Sequence, residues 1–194
     1  MPRASRKDRS RQQLLDAAEA AFRETGYAGT SVEAIALRAG LTRKTVYNLF
    51  AGKEDLAEQL IARGEELAET RYRARIEAGE GALGLIESLL NDSIDWCLAN
   101  PDIAPLALSP RHRPGLAPPE GCPSMQRVLR DMLVLGQRQG SIRADEDAEF
   151  MTLLLLAIHA QATTSYLSGE PHERTETARI LRLMIEGFRQ ARNG

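Results

Sequence analysis

Cysteine is scarce in this 194-residue chain, in which Cys97 and Cys122 are the only two. Two cysteines without partners at metal-binding spacing exclude a disulfide-stapled scaffold and a cysteine-based metal site. The longest wholly apolar run, Leu153 to Ile158, is far too short to cross a bilayer. Asp16 and Glu19 interrupt the apolar stretch behind the basic N-terminus. The sequence therefore predicts no signal peptide, a cytoplasmic location and no membrane partner.

Residues that favour β-strands are also rare. The chain has four valines and 5% aromatic residues, but 27 alanines and 26 leucines. Because strands collect β-branched and aromatic side chains, this composition predicts an all-α fold. An apolar share of 43% and a charged share of 27% are typical of a globular protein. The length allows one domain, or two small ones that share a long helix.

Negative charge is scarce in the first part of the chain, where basic residues outnumber acidic ones by ten to five. Residues 1–53 carry a net charge of +5 and residues 54–194 a net charge of −7, and all three lysines lie in the first part. A basic segment joined to an acidic body indicates that one end meets a polyanion. The alternative, ordinary variation of surface charge, is equally compatible with the charges alone.

Apolar periodicity and capping residues divide the chain into helices. A basic arm with Arg3, Arg6, Lys7, Arg9 and Arg11 precedes a helix at 9–25, which Gly26 closes. Thr30 and Glu33 have the spacing of a capping box for a second helix at 31–39. The further predicted ranges are 42–50, 53–77, 82–99, 102–108, 124–139, 145–168 and 173–191. A proline-rich loop fills 109–123.

Two short helices on either side of Gly40-Leu41 have the dimensions of a helix-turn-helix. At about 100° per residue, Val46, Leu49 and Phe50 share one face of the second short helix. Lys44 and Asn48 then point away from this face. Asn can pair bidentately with adenine, and Lys can donate to guanine. A solvated surface helix would show the same pattern.

Over residues 11–60 the chain resembles the TetR family of bacterial transcriptional regulators. The matching motifs lie in order: Gly26-Tyr27, Thr30-Ser31, Ile35-Ala36, Ala39-Gly40, Thr45 with Tyr47 and Phe50, and Lys53-Glu54 with Leu56. The resemblance implies that Thr30, Tyr47 and Lys53 touch phosphates. It also implies that Arg43, Lys44 and Thr45 approach bases. The family usually has aromatic or His residues after the tyrosine, where this chain has Asn48-Leu49, and the helical wheel favours Asn48 as the base reader.

The resemblance further implies a C-terminal helical bundle that dimerises and holds a ligand. We therefore predict an arm and helix-turn-helix DNA-binding domain at 1–53 and an effector-binding and dimerisation domain at 54–194. Helices apolar on several faces need several packing partners, which predicts a homodimer through Leu154, Leu181, Leu183, Ile185 and Phe188. A single larger monomeric core is the alternative.

Candidate ligand contacts in the bundle are Trp96, Met125, His159 and Thr163. For His159, Trp96 and Met125 ordinary core packing is the alternative role, since single residues of these types at helical spacing are usual in cores. Gly64, inside the fourth helix, either softens that helix or permits close packing. Acidic residues at 145–149 are typical of a helix start, and the sequence predicts no metal site and no cofactor.

Motifs of enzymes are absent from the sequence, which has no G-x-S-x-G, P-loop, Rossmann glycine pattern or H-E-x-x-H. The sequence therefore predicts a non-enzymatic, ligand-responsive regulator. In the family such a protein is usually a repressor, released from a pseudo-palindromic double-stranded DNA operator by a small-molecule effector. The alternative is a helix-turn-helix protein whose bundle is only a protein-interaction scaffold.

Overall fold

The computed structural model describes residues 5–109, 124–169 and 174–189. Within these ranges the chain forms helices and no strand beyond one isolated bridge between Ile142 and Arg189. The all-α prediction is confirmed. The helices are α1 (Arg6–Gly29), α2 (Val32–Arg38), α3 (Arg43–Leu49), α4 (Lys53–Glu77), α5 (Ala82–Ala99), α6 (Ala104–Ala107), α7 (Met125–Arg138), α8 (Ala148–Leu167) and α9 (Arg174–Gly187).

The first helix begins earlier than predicted. Ser5 is its N-cap and forms a capping box with Asp8, in which the Ser5 hydroxyl accepts from the Asp8 amide and the Asp8 carboxylate accepts from the Ser5 amide. Arg6 and Lys7 are thus helical, and the prediction that they belong to an arm ahead of the first helix is wrong. Arg3 lies outside the described residues.

Gly26 interrupts α1 with φ +75°, a conformation that L side chains rarely adopt. The chain then makes one further turn to Gly29. The predicted end of the helix at Gly26 is thus a kink, followed by a short continuation. A Cβ at Gly26 would lie 3.2 Å from the Asp102 carboxylate, so the turn before α6 packs closely on this kink.

The N-cap of α2 is Ser31, whose hydroxyl accepts from the Ala34 amide at 3.1 Å. The predicted capping box between Thr30 and Glu33 is wrong. Thr30 is buried, and its hydroxyl donates to the Gly26 carbonyl oxygen at 2.6 Å. The N-cap position of α2 is taken by Ser31, one residue after Thr30, and the Thr30 hydroxyl closes the end of α1 instead.

The described chain falls into two compact units. Unit 1 holds the residues up to Arg63 together with Ala99–Ala107, and unit 2 holds Gly64–Leu98 and the residues from Leu108 onward. Unit 1 includes the start of α4, because Leu56, Ala57 and Leu60 are buried there. The helical part of unit 1 therefore extends beyond the domain boundary that we predict at residue 53.

Unit 2 is built around one apolar cluster, in which α8 packs against α7 and α9. Its most deeply buried large side chains include Tyr72, Leu85, Leu129 and Met132. Asp147 caps α8, since its carboxylate accepts from the amides of the second and third helical residues, Glu149 and Phe150. This confirms the interpretation of the acidic run at 145–149 as a helix start.

Within the described residues α8 is the one helix long and apolar enough to cross a membrane by length and composition. A single helix of this kind is weak evidence, because core helices of globular proteins have the same composition. Met151, Thr152 and Leu155 of α8 are buried inside unit 2. The burial of these side chains agrees with a core helix.

Gly64 is a close-packing position. A Cβ at this residue would lie 3.3 Å from Nε1 of Trp96 on α5, tighter than most real Cβ contacts. Of the two roles that the sequence left open, the structure supports packing. Trp96 is also the only tryptophan of the chain, so tryptophan fluorescence reports on the surroundings of this one side chain.

We expect Gly64→Ala to displace Trp96 and to shift its emission, with a gain in stability smaller than the roughly 1 kcal/mol that a helical Gly→Ala change brings. Gly84→Ala on α5 is the control, because nothing lies within 4 Å of a Cβ there. The control should gain that full amount and leave the emission unchanged. Equal gains and unchanged emission in both variants would contradict a tight contact at Gly64.

Candidate nucleic-acid interface

The helix-turn-helix consists of α2, a turn and α3. Gly40 in the turn has φ +66°, and the following amide of Leu41 donates to the Ala36 carbonyl oxygen at 2.9 Å. Thr42 then caps α3, as predicted, by accepting from the Thr45 amide at 3.2 Å. A glycine with positive φ followed by a capping threonine ends one helix and starts the next within four residues.

The helical-wheel prediction for α3 is confirmed. Val46 is fully buried and Phe50 is 2% exposed, so this side of α3 faces the core of unit 1. Lys44, Tyr47 and Asn48 are exposed on the other side, Tyr47 to 48%. The exposed side presents an ammonium, a phenol and a carboxamide, groups that can bond base edges and phosphates.

Arg43 stands at the start of this surface and is held by two neighbours. Its guanidinium forms an ion pair with Glu33 of α2 at 2.8 Å and lies 5.4 Å from the centroid of the Tyr47 ring. Hydrogen bonding to Tyr47, and next the Glu33 carboxylate, raise the pKa of Arg43. The Arg43 charge thus has a partner on the protein itself, unlike the exposed Lys44, for which the structure shows no ion pair.

Two predicted contact residues have their hydroxyls engaged within unit 1. Thr30 is 4% exposed, and besides the Gly26 carbonyl its hydroxyl contacts that of Thr25 at 2.9 Å. This buried hydroxyl is not placed to meet a phosphate. Thr45 is half-buried, and its hydroxyl lies 2.9 Å from that of Thr42.

The Lys53 side chain is also bound to other residues of unit 1. Its Nζ donates to the backbone carbonyl oxygens of Tyr27 at 2.6 Å and Thr30 at 2.9 Å. Arg11 was grouped with the basic arm in the sequence, but its guanidinium donates to the Leu49 carbonyl oxygen at the end of α3. No sequence pattern marks this contact, because 38 residues separate its partners.

Residues 14–60 match the sequence model of a family described as bacterial regulatory proteins, tetR family. The match spans most of α1, the helix-turn-helix and the start of α4. Over these residues the chain is similar to the tetR family.

A curated relative, the HTH-type transcriptional regulator UidR of Escherichia coli K12, is 30% identical over 82 residues, which are 42% of this chain and 42% of UidR. Solved structures match over nearly the whole chain. Thermus thermophilus FadR, a TetR-family transcriptional repressor in complex with lauroyl-CoA, has a TM-score of 0.72 at 21% identity and covers 95% of this chain and 98% of its own. A TetR-family regulator from Pectobacterium atrosepticum has a TM-score of 0.73 at 23% identity, with 97% and 99% covered. These likenesses support the fold.

The four predicted ligand residues lie in unit 2. His159 is 2% exposed with its Nε2 3.0 Å from the Ser93 hydroxyl, and the buried Thr163 hydroxyl donates to the His159 carbonyl oxygen at 2.7 Å. Trp96 is half-buried against Gly64, and Met125 is half-buried at the start of α7. The structure thus brings His159 and Thr163 together on α8.

An open groove of about 720 Å³ lies elsewhere in unit 2, between α7 and the turn that leads into α8. Its lining includes Arg130, Asp131, Gln137, Asp145 and Glu149. The four predicted ligand residues do not line this groove. Among the described residues no group of three or more His, Cys, Asp or Glu is arranged to hold a metal ion.

The predicted dimer residues differ in exposure. Leu183 is 59% exposed and Leu154 is 36% exposed, as an interface residue of a single protomer should be. Ile185 is only 8% exposed and belongs to the apolar cluster of unit 2, against which Phe188 also packs. Ile185 is therefore a core residue, and the prediction of an interface role for it is wrong. The Leu181 side chain lies outside the described residues.

Proposed function

We propose that this chain is a dimeric transcriptional regulator that binds a pseudo-palindromic operator through α3 and is released by a small-molecule effector. The observation that carries the proposal is the two-sided character of α3. Its buried side fixes the helix in unit 1, and its other side exposes Lys44, Tyr47 and Asn48. Helix-turn-helix proteins place such a surface in the major groove.

Charge supports the same orientation. Lys44 is exposed on α3, and Arg6, Lys7 and Arg9 are exposed on the first turn of α1. The acid in that turn, Asp8, has its pKa lowered chiefly by hydrogen bonds with Ser5, so it stays ionised as a cap. Exposed cations on unit 1 can neutralise phosphates and release counterions.

The dimer is supported by an apolar surface that the protomer leaves open. Phe150 is 47% exposed and stands one turn before Leu154 on α8, and Leu183 is exposed on α9. Exposed apolar side chains grouped on two neighbouring helices are typical of an interaction surface. A second copy of the chain is the proposed occupant, since two half-sites of an operator need two reading helices.

For unit 2 two functions compete: binding a small-molecule effector, or serving only as a protein-interaction scaffold. If unit 2 binds a small molecule, a metabolite should raise the melting temperature of the chain and weaken its operator complex. If unit 2 is only a protein-interaction scaffold, metabolites should change neither. A thermal-shift screen followed by gel shifts with the DNA upstream of the gene, with and without each hit, separates the two functions.

We expect Lys44→Ala and Asn48→Ala each to reduce discrimination between operator and unrelated DNA by roughly 1–3 kcal/mol, because each removes a candidate base contact. Arg138→Ala is the control, since Arg138 is an exposed cation on α7 in unit 2. Fluorescence anisotropy on both duplexes gives the two affinities. An unchanged ratio of specific to nonspecific affinity in both α3 variants would show that another face of unit 1 reads the DNA.

A further inference from the structure

Lys53 is enclosed by acceptors of its own chain. Two of the three ammonium donors are used by the carbonyl oxygens of Tyr27 and Thr30, at 2.6 and 2.9 Å. The ammonium also lies 4.4 Å from the centroid of the Tyr27 ring. A lysine with two carbonyls and an aromatic face around it already has most of the interactions that water or a phosphate would offer.

Arg11 repeats this arrangement at another point of unit 1. Its guanidinium donates to the Leu49 carbonyl oxygen at 3.2 Å and lies 4.6 Å above the ring of Phe50. Leu49 is the last residue of α3 and Phe50 its C-cap. Both cations thus combine an aromatic ring with backbone carbonyls, and both residues are half-buried.

The carbonyls concerned lie at the C-terminal ends of helices. Tyr27 belongs to the last turn of α1 and Thr30 is its C-cap, while Leu49 ends α3. Neither helix carries a basic residue in its own last turn. Cations near a helix C-terminus stabilise it through the unpaired carbonyls and the helix dipole. Arg11 from α1 and Lys53 from α4 therefore supply charges that α3 and α1 lack.

These contacts also join the parts that carry the reading surface. Lys53 is the fourth residue after α3, and it binds carbonyl oxygens of the turn that precedes α2. It therefore links the end of the helix-turn-helix to its beginning. Arg11 links the end of α3 to α1. Rigid support of this kind fixes the orientation of a binding surface.

We propose that Lys53 and Arg11 are positioning residues, which orient α3 by binding backbone carbonyls and do not touch the DNA phosphates. The inference rests on the proposed function, because it assigns how α3 is held for DNA. It replaces the phosphate contact that the family resemblance implies for Lys53. The phosphate-facing charges are then exposed cations of α1, such as Lys7 and Arg9.

The wild-type chain allows a direct test, because it has only three lysines, Lys7, Lys44 and Lys53. In a ¹⁵N spectrum of lysine ammonium groups without DNA, we expect Lys53 to exchange its protons about tenfold or more slowly than Lys44, as its bonds to carbonyls must open first. Adding operator DNA should shift the Lys44 signal and leave the Lys53 signal in place. Fast exchange of Lys53 without DNA, or a shift as large as that of Lys44, would overturn the proposal.

Binding measurements give the second test. Met keeps an unbranched apolar stem but loses the donors, so Lys53→Met and Arg11→Met should each weaken operator binding about ten- to a hundredfold, as expected for loss of a charge-assisted bond. Nonspecific affinity should change less than twofold, and the salt dependence should stay as in the wild type. Lys7→Met is the matched control, because Lys7 is exposed on the first turn of α1, and it should reduce the salt dependence.

A phosphate contact predicts a different result. Specific and nonspecific binding would fall together, and the slope of log K against log salt would decrease by about 0.9 for the lost contact. That result, or unchanged operator affinity in both Met variants, overturns the proposal, and the wild-type spectrum decides it if a variant does not fold. A wild-type chain that binds no duplex at all would overturn the proposed function as well, so the two failures are distinguishable.

Discussion

Leu183→Arg should convert the protein into a folded monomer that binds operator DNA at least a hundredfold more weakly. Leu183 is 59% exposed in the protomer, so the new arginine is hydrated in the monomer and the fold is kept. In a dimer through α8 and α9 the same charge would be buried without a partner, which is costly. Loss of the linked second half-site removes an avidity gain of roughly 10²–10⁴. Analytical ultracentrifugation and anisotropy measure the two effects.

Two variants make this result specific. Leu67→Arg introduces the same charge at another exposed leucine, 67% exposed on α4, and should remain dimeric. Ile185→Arg places the charge in the apolar cluster of unit 2 and should unfold the protein rather than give a stable monomer. A wild-type chain that sediments as a monomer at micromolar concentration would refute the proposed dimer.

The contrast between Leu183 and Ile185 shows where sequence reasoning stops. Both are apolar residues of one amphipathic helix, and the sequence assigned both to the dimer interface. Periodicity shows that a helix has an apolar side, but it does not show which neighbour covers each residue of that side. Only the packing of α9 against the rest of unit 2 separates a core residue from an open one.

The recognition helix was predictable because its signals are local. Val46 and Phe50 are four residues apart, Thr42 caps the same helix, and Gly40 supplies the positive φ of the turn. Each feature depends on neighbours within one or two helical turns, which is the range that periodicity and capping rules cover. The buried and exposed sides of α3 therefore follow from the sequence alone.

The roles of Lys53 and Thr30 were not predictable from such rules. Lys53 bonds a carbonyl 26 residues away, and the Thr30 hydroxyl turns back to α1 because Gly26 breaks the helix there. Charge counts place both residues at a basic, DNA-facing end of the chain. In the folded chain both side chains instead donate hydrogen bonds to backbone carbonyl oxygens of unit 1.

Glu65 of α4 is a half-buried acid with a specific structural partner. It accepts a hydrogen bond from the backbone amide of Met125, and the neighbouring Glu69 accepts from the Ser124 amide at 3.1 Å. Ser124, the N-cap of α7, makes no capping bond with its own side chain. Two carboxyl groups of α4 therefore accept from the first amides of α7, which have no partner within that helix.

Burial, and to a smaller extent the Glu69 charge, raise the pKa of Glu65 from 4.5 to about 7, although the Met125 amide opposes the shift. A carboxyl group whose pKa is higher in the folded state holds its proton better there than in the unfolded state. Between pH 4.5 and about 7 the unfolded chain releases this proton first, so the free energy of unfolding falls as the pH rises. Below this window Glu65 makes no difference, and above it the full destabilisation is present.

Glu65→Gln should therefore stabilise the protein by about 2–3 kcal/mol at pH 8 and hardly at all near pH 4.5, because the amide cannot ionise but its oxygen can still accept from Met125. Denaturant unfolding of the full chain across this pH range, at one protein concentration, measures the difference. Glu66→Gln is the control, as it removes the same charge from the exposed neighbouring position, and its effect should not vary in this way with pH. If Glu65→Gln changed stability equally at both ends of the range, the carboxylate would be ionised throughout, and the start of α7 would be held by two charged groups instead of one neutral acid and one carboxylate.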